Sequence, residues 1–138
     1  MIEISIAKSN VNMTLPVQEG ISAGFPSPAT DFMGVEIDLN RDLVLHPEAT
    51  YYGRVSGESM KGAGIDDGDL LVIDKSLEAV HGKIAVCFLD GEFTLKRINI
   101  RQDGVWLVPE NDKYKPIHCG EENNLIIWGI VTHIIKKV

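Results

Sequence analysis

The chain has 138 residues, a mass of 15.2 kDa and a net charge of −7, a length that suits one domain with a single core. Because an acidic chain is not attracted to the phosphate backbone, we expect no direct DNA binding. No apolar run approaches the roughly 20 residues of a membrane span, and the first residues lack the pattern of a signal peptide. These features predict a cytoplasmic protein that is not attached to a membrane.

The two cysteines, Cys87 and Cys119, imply no disulfide framework, and we expect both to be reduced. Cys87 lies in an apolar run and is interpreted as a small buried hydrophobic residue. His46 has no second ligand at the spacing of a metal site, so it is interpreted as a surface or capping residue. The sequence therefore predicts neither a metal site nor a cofactor.

The first residues, Ile2–Ile6, alternate isoleucine with polar or small residues, which is typical of a short strand. Further along, Ala23 and Gly24 are followed by Pro26 and Pro28, which disfavour helix and keep the chain extended. Small side chains on both sides let an extended chain enter a narrow cleft. Ala23–Gly24 is therefore a candidate cleavage site, although on these residues alone a proline-rich linker is the simpler interpretation.

The segment Asp31–His46 allows more than one interpretation. Val35, Ile37 and Leu39 alternate as in a strand, whereas residues 43–45 form a short apolar run. The pattern leaves helix and loop open.

From residue 51 onward, short apolar runs alternate with turns. The predicted strands are Tyr51–Val55, Leu70–Ile73, Ile84–Leu89, Glu92–Ile98, Val105–Val108 and Leu125–Ile135. This pattern predicts an all-β fold with a curled, partly barrel-like sheet. Asp90-Gly91 is a strong signal of a two-residue hairpin turn.

Several polar and aromatic residues have structural interpretations. Asp69 and Asp74, at the ends of a predicted strand, are interpreted as solvated turn residues rather than catalytic carboxylates. Trp106 and Trp128 are interpreted as core or partly buried residues, and Lys136 as part of a solubilising tail.

The loop of residues 56–69, called the Ser59 loop below, is rich in glycine and aspartate. Ser59 lies just before a possible helical turn, Met60–Ala63. A serine presented at such a turn can act as a nucleophile, with nearby backbone N–H groups holding the oxyanion. A serine in a glycine-rich loop is by itself more often an N-cap or turn residue.

The candidate base for this serine is a lysine. None of the four histidines lies in a triad motif, and there is no G-x-S-x-G elbow. Lys96 lies in the middle of a predicted strand, on the same face as Thr94 and Ile98. A lysine held against a sheet loses hydration, which lowers its pKa and lets the neutral amine accept a proton from serine. Thr94 can orient that amine.

Three segments carry a family resemblance: Gly57–Met60, Asp67–Leu70 and Gly91–Arg97. Together they resemble the motifs of the LexA-type self-cleaving Ser/Lys peptidase family, and most of all its UmuD branch. The resemblance runs from about residue 20 to the C-terminus. It implies that Ser59 is the nucleophile and Lys96 the general base, with Met60 and Thr94 in support.

The resemblance also implies a domain organisation and partners. It implies a LexA-type peptidase and dimerisation domain at residues 24–138, and a flexible arm at residues 1–23 that is removed by cutting Ala23–Gly24. In the family, a RecA filament on single-stranded DNA stimulates the cut. In the UmuD branch, the cut homodimer joins a UmuC-type polymerase to form translesion DNA polymerase V during the SOS response to DNA damage.

Two other functions are open. The first alternative to a self-cleaving peptidase is a non-catalytic accessory dimer of a polymerase, in which Ser59 and Lys96 are relics. The second is a truncated regulator of the LexA or phage-repressor type. The joint presence of a candidate bond, nucleophile and base argues against the first. The acidic charge and the lack of a helix-turn-helix pattern before residue 24 argue against the second.

Overall fold

The computed structural model describes residues 2–6, 15–16, 36–120 and 123–138. The strands are β1 (Ile2–Ile6), β2 (Leu15–Pro16), β3 (Glu36–Ile37), β4 (Thr50–Val55), β5 (Leu70–Asp74), β6 (Ile84–Leu89), β7 (Glu92–Arg101), β8 (Gly104–Val108), β9 (Ile117–Cys119) and β10 (Leu125–Ile135). The helices are α1 (Leu39–Leu43) and two short 3₁₀ helices, Pro47–Ala49 and Lys61–Ala63. The chain divides into two compact units, residues 8–45 in one and residues 1–7 with 46–138 in the other.

The smaller unit contains a short strand pair and α1. Strand β2 pairs antiparallel with β3. Asp38 then caps α1, because its Oδ1 accepts hydrogen bonds from the N–H groups of Asn40 and Arg41 at 3.0 and 3.4 Å. The described part of the ambiguous segment, residues 36–45, thus contains a short strand followed by a short helix.

The larger unit is built on an eight-stranded antiparallel sheet in the order β1-β4-β5-β10-β6-β7-β8-β9. Within the part of the chain that the structure describes, β1 and β9 are its edges, so the sheet is not closed. It nevertheless curls far enough to bring Cα atoms of β1 within 8 Å of β7, as expected for a twisted sheet. The prediction of an all-β fold with a curled sheet is confirmed.

Two clusters of buried side chains form the core of this unit. The first contains Ile2, Val55, Met60, Ile65, Leu71, Ile73, Val86 and Leu95. The second contains Ala85, Cys87, Ile98, Leu107, Cys119 and Ile130. Alternation along β7 places Leu95 in the first cluster and Ile98 in the second. Cys87 is fully buried, which confirms its interpretation as a small buried hydrophobic residue.

Strand β1 contributes directly to the first cluster. It pairs antiparallel with β4, and the side chain of Ile2 is 8% exposed. A Cβ atom on Gly53 would lie 2.6 Å from Ile2 Cδ1 and 2.8 Å from Ile73 Cδ1. A glycine at position 53 therefore leaves the room that Ile2 occupies.

The interpretation of Asp74 as a solvated turn residue is wrong, because Asp74 is 4% exposed. Its Oδ1 accepts hydrogen bonds from the Ser76 N–H at 2.8 Å and hydroxyl at 2.6 Å, and its Oδ2 lies 2.6 Å from Nδ1 of His46. Burial opposes ionisation, but the hydrogen bonds from Ser76 and His46 outweigh it and lower the pKa of Asp74. The half-exposed His46 thus helps to hold a buried carboxylate.

The same interpretation is wrong for Asp69, which is 5% exposed. Its Oδ2 accepts a hydrogen bond from the Asp66 N–H at 2.8 Å and another from the Lys136 ammonium group at 2.5 Å, which forms an ion pair with it. Burial opposes ionisation of Asp69, and these two partners outweigh it and lower its pKa. Lys136 is therefore not merely part of a solubilising tail, because it ties the C-terminal residues to the Ser59 loop.

Candidate active site

The Ser59 loop leaves β4 and returns to β5, and its two ends are held together. The N–H of Gly68 donates to the carbonyl of Val55 at 2.8 Å, and the N–H of Gly57 donates to Asp67 Oδ1 at 2.8 Å. Gly57 has φ 106° and Gly64 has φ 78°, left-handed conformations that favour glycine. These contacts fix the path of the chain on both sides of Ser59.

Met60 anchors the loop to the core. Its side chain is 2% exposed and belongs to the first buried cluster. Its carbonyl accepts hydrogen bonds from the N–H groups of Ala63 and Ile65, at 3.0 and 3.3 Å. Met60 therefore holds the backbone immediately after Ser59, which is consistent with the predicted role of Met60 in supporting the nucleophile.

Lys96, on β7, lies beside the Ser59 loop and is 7% exposed. Its Nζ donates a hydrogen bond to Thr94 Oγ1 at 2.6 Å and another to the carbonyl of Leu95 at 3.1 Å. The Oγ atom of Ser59 lies 3.5 Å from the same nitrogen. The structure thus brings together Ser59, Lys96 and Thr94, which the sequence predicted as nucleophile, base and orienting residue.

Burial lowers the pKa of Lys96, because desolvation disfavours the ammonium form. A thiolate at Cys87 would oppose this shift. Burial raises the pKa of Cys87 itself to about 12, so its thiol stays uncharged at neutral pH. At a given pH, a larger fraction of Lys96 is therefore in the neutral form, which can accept a proton, than of an exposed lysine.

A small cavity of about 40 Å³ opens beside the nucleophile candidate. Its walls include Ile2 of β1, Gly57 and Ser59 of the Ser59 loop, and Thr94 of β7. A space of this size can take a small group such as a methyl.

A second loop, residues 109–111 after β8, contacts the Ser59 loop and is called the clamp loop below. The N–H of Glu110 donates to the carbonyl of Ser59 at 2.8 Å, and the N–H of Gly62 donates to the carbonyl of Glu110 at 2.6 Å. The side-chain amide of Asn111 donates to the carbonyl of Glu58 at 2.7 Å. Sequence reasoning missed these residues, since Pro-Glu-Asn-Asp has the composition of an ordinary turn.

Three N–H groups beside the candidate nucleophile have no acceptor in the described part of the chain. Those of Glu58, Ser59 and Met60 donate to no acceptor among the described residues, whereas those of Gly57, Lys61 and Gly62 do. Unpaired N–H groups next to a serine hydroxyl are the donors that an oxyanion hole requires.

A model of the peptidase S24-like family matches residues 16–132, a stretch that contains Ser59, Lys96 and Asn111. The chain belongs to the S24-like peptidase family. The resemblance to LexA-type peptidases drawn from the motifs is thereby confirmed.

This S24-like peptidase is also similar over most of its length to curated proteins, including a LexA repressor. Protein ImpA of Escherichia coli is 42% identical over 116 residues, which are 83% of this chain and 78% of ImpA. Protein MucA of Escherichia coli is 46% identical over 114 residues, 82% of this chain and 77% of MucA. The LexA repressor of Ectopseudomonas mendocina is 38% identical over 130 residues, 94% of this chain and 63% of the repressor.

The candidate cleavage site of this S24-like peptidase, Ala23 and Gly24, lies outside the described residues. Within the described ranges, no three His, Cys, Asp or Glu side chains are grouped so that they could hold a metal ion. None of the helices in these ranges has the length and apolar character needed to cross a membrane.

Proposed function

We propose that this S24-like peptidase cleaves its own Ala23–Gly24 bond with Ser59 as nucleophile and Lys96 as general base. The observation that carries the proposal is the buried amine of Lys96, 3.5 Å from Ser59 Oγ and with its pKa lowered by burial. A neutral lysine beside a serine can act as the base that activates the hydroxyl for acyl transfer. A separation of 3.5 Å is long for a hydrogen bond, but such contacts tighten when substrate is bound.

The first half of the reaction forms an acyl-enzyme. Two hydrogens of the neutral Lys96 amine are held by Thr94 and the Leu95 carbonyl, so the nitrogen lone pair is free to accept the Ser59 proton. Ser59 Oγ bonds to the carbonyl carbon of Ala23, and the oxyanion forms against the unused N–H groups of the Ser59 loop. The C–N bond then breaks, and protonated Lys96 gives its proton to the Gly24 amine.

The second half hydrolyses the acyl-enzyme. Lys96, neutral again, takes a proton from water, and the hydroxide oxygen attacks the Ala23 acyl carbon. Ser59 leaves with the proton from Lys96, and residues 1–23 end in a carboxylate. The cavity of about 40 Å³ beside Ser59 suits the methyl group of Ala23. Because the substrate is part of the same chain or of its dimer partner, its effective concentration is high.

We further propose the biological setting that the resemblance to UmuD-like proteins implies. A RecA filament on single-stranded DNA stimulates the cut, and the cut homodimer serves a UmuC-type polymerase as an accessory subunit of translesion polymerase V. The net charge of −7 favours contact with DNA through these partners rather than directly.

The test is intact mass of the purified chain after incubation at about pH 7 and about pH 10, since alkaline pH neutralises lysine without any partner. We expect a product that begins at Gly24 and forms faster at the higher pH. Ser59→Ala and Lys96→Ala should remain whole, whereas Lys83→Ala, which removes an exposed lysine before β6, should be cut like the wild type.

A parallel incubation contains RecA assembled on single-stranded DNA and is kept near neutral pH. A wild-type chain that stays whole in every condition would refute the self-cleaving activity and favour the non-catalytic accessory dimer. Equal cleavage of the wild type and Ser59→Ala would refute the assignment of the nucleophile.

A further inference from the structure

We infer that Asn111 is a positioning residue that aims the N–H of Ser59 at the site of the oxyanion. The inference rests on the proposed self-cleavage and adds to it the group that orders the oxyanion hole. Asn111 is remote from Ser59 in sequence, yet its Nδ2 lies 2.7 Å from the carbonyl oxygen of Glu58.

The argument starts from the peptide unit. The carbonyl of Glu58 and the N–H of Ser59 belong to one planar trans unit, so they point in opposite directions. The hydrogen bond from Asn111 fixes the direction of the carbonyl, with a weaker one from the Lys61 N–H at 3.2 Å. The Ser59 N–H is then fixed in the opposite direction, and it has no acceptor among the described residues.

The clamp loop orders the next peptide unit in the same way. The Glu110 N–H binds the carbonyl of Ser59 at 2.8 Å, which fixes the N–H of Met60 in the same peptide unit. Two successive carbonyls beside the nucleophile are thus held by adjacent residues, and both partner N–H groups are left without a described acceptor. An oxyanion hole is effective when its donors are oriented before the reaction begins.

The clamp loop is itself tied to the strand that carries the base. Glu110 Oε1 accepts a hydrogen bond from Arg97 Nε at 2.6 Å, and Arg97 directly follows Lys96 on β7. The guanidinium is also held by the carbonyl of Gly82 at 2.6 Å. The N–H groups of Ser59 and Met60 are therefore held in position relative to β7, the strand that also carries the Lys96 amine.

Asn111 offers a variant that removes the donor and keeps the acceptor, while adding one negative charge. Its Oδ1 accepts a hydrogen bond from the Lys113 N–H at 3.0 Å, an interaction within the turn. Asn111→Asp keeps that acceptor and replaces the Nδ2 donor by an oxygen that repels the Glu58 carbonyl. Asn123→Asp is the matched control, because Asn123 uses its Oδ1 in the same way, for the Gly120 N–H at 3.2 Å in another loop.

The experiment measures the first-order self-cleavage rate of the full chain from about pH 7 to about pH 11, for the wild type, Asn111→Asp, Asn111→Ala and Asn123→Asp. Each profile yields a plateau rate and a midpoint, and thermal unfolding is recorded beside it. We expect the plateau to fall about 10- to 100-fold in both Asn111 variants. The midpoint should not move in Asn111→Ala, which adds no charge near Lys96, and Asn123→Asp should match the wild type.

The outcomes separate this inference from the function on which it rests. If the wild type is cut and Asn111→Asp is cut at the same plateau rate, the positioning role is overturned while the peptidase stands. If Asn111→Ala lowers the rate only by raising the midpoint, or if both Asn111 variants lose much thermal stability, Asn111 merely supports the fold and the inference is overturned. A wild type that is never cut overturns both.

Discussion

Thr94 Oγ1 accepts a hydrogen bond from Lys96 Nζ at 2.6 Å, whereas Ser59 Oγ lies 3.5 Å from the same nitrogen. The amine is thus held more firmly by the strand than by the serine. Since the bond to Thr94 and the bond to the Leu95 carbonyl occupy two of its hydrogens, they decide where the lone pair of the neutral amine points.

Replacing Thr94 by valine should slow self-cleavage without unfolding the chain. Valine keeps the shape of the side chain and removes the hydroxyl that orients Lys96. We expect a rate lower by about tenfold to a hundredfold, the usual cost of misplacing a catalytic group by about 1 Å. The measurement is the cleavage rate at about pH 10, with Thr94→Ser as the control because it retains the hydroxyl. Equal rates for valine and threonine would exclude an orienting role.

The lowered pKa of Lys96 should appear in the stability of the fold. Between that pKa and the ordinary lysine value of about 10.4, the unfolded chain binds a proton at Lys96 that the folded chain has lost. The free energy of unfolding contributed by Lys96 should therefore rise with pH through this window. Below it, the charged amine is buried in the folded state and its cost is constant.

The measurement is urea unfolding of Ser59→Ala, which cannot cut itself, with and without Lys96→Met. The advantage of the methionine chain should be greatest at neutral pH and should shrink as the pH approaches about 10. A difference that stays constant over this range would mean that the pKa of Lys96 is the same in the folded and unfolded chains.

Gly62 should be needed for the approach of the clamp loop. An added Cβ would lie 2.5 Å from the carbonyl oxygen of Glu110 and 3.3 Å from its carbonyl carbon, so Gly62→Ala must push the two loops apart. We expect cleavage to slow at least about tenfold, because Ser59 moves with its loop. The control is Gly120→Ala, whose added Cβ meets no described atom within 4 Å. A Gly62→Ala chain that is cut at the wild-type rate contradicts the need for this close contact.

Ile2 should contribute to the stability of the uncut chain. Ile2→Ala removes a side chain that is 8% exposed in the first buried cluster, and we expect the free energy of unfolding to fall by about 2 kcal/mol. Ile126→Ala removes the same atoms from a side chain that is 58% exposed and should change stability by less than about 0.5 kcal/mol. Urea unfolding in the Ser59→Ala background compares the two. Equal effects would mean that β1 is not part of the folded core.

Local patterns in the sequence predicted much of the sheet, since alternation and turn residues are properties of neighbouring positions. Ile84–Leu89 was predicted with the bounds that β6 has, and Asp90-Gly91 forms the turn before β7, with φ 48° at Asp90. Strand β9 was missed because its three residues, Ile117–Cys119, are too few to show a period. Its pairing with β8 depends on the rest of the sheet.

The candidate site was predicted only as far as its motifs extend. Ser59 and Lys96 could be joined in advance because both lie in motifs of one family. Asp74 and Asn111 could not, since an aspartate at a strand end and an asparagine in a turn are common everywhere. What distinguishes them is a partner distant in sequence, His46 for the first and the Glu58 carbonyl for the second.

The position of β1 separates cutting from release. The proposed cut at Ala23–Gly24 would remove one covalent bond and would not touch the pairing of β1 with β4 or the burial of Ile2. We therefore expect the immediate product to be a nicked protein in which the fragment of residues 1–23 stays docked through its edge strand β1. Native mass spectrometry would record a species one water heavier than the uncut chain, while denaturing conditions would separate two pieces. The lifetime of that docked fragment, rather than the chemistry at Ser59, would set when the edge of β4 becomes available to another strand.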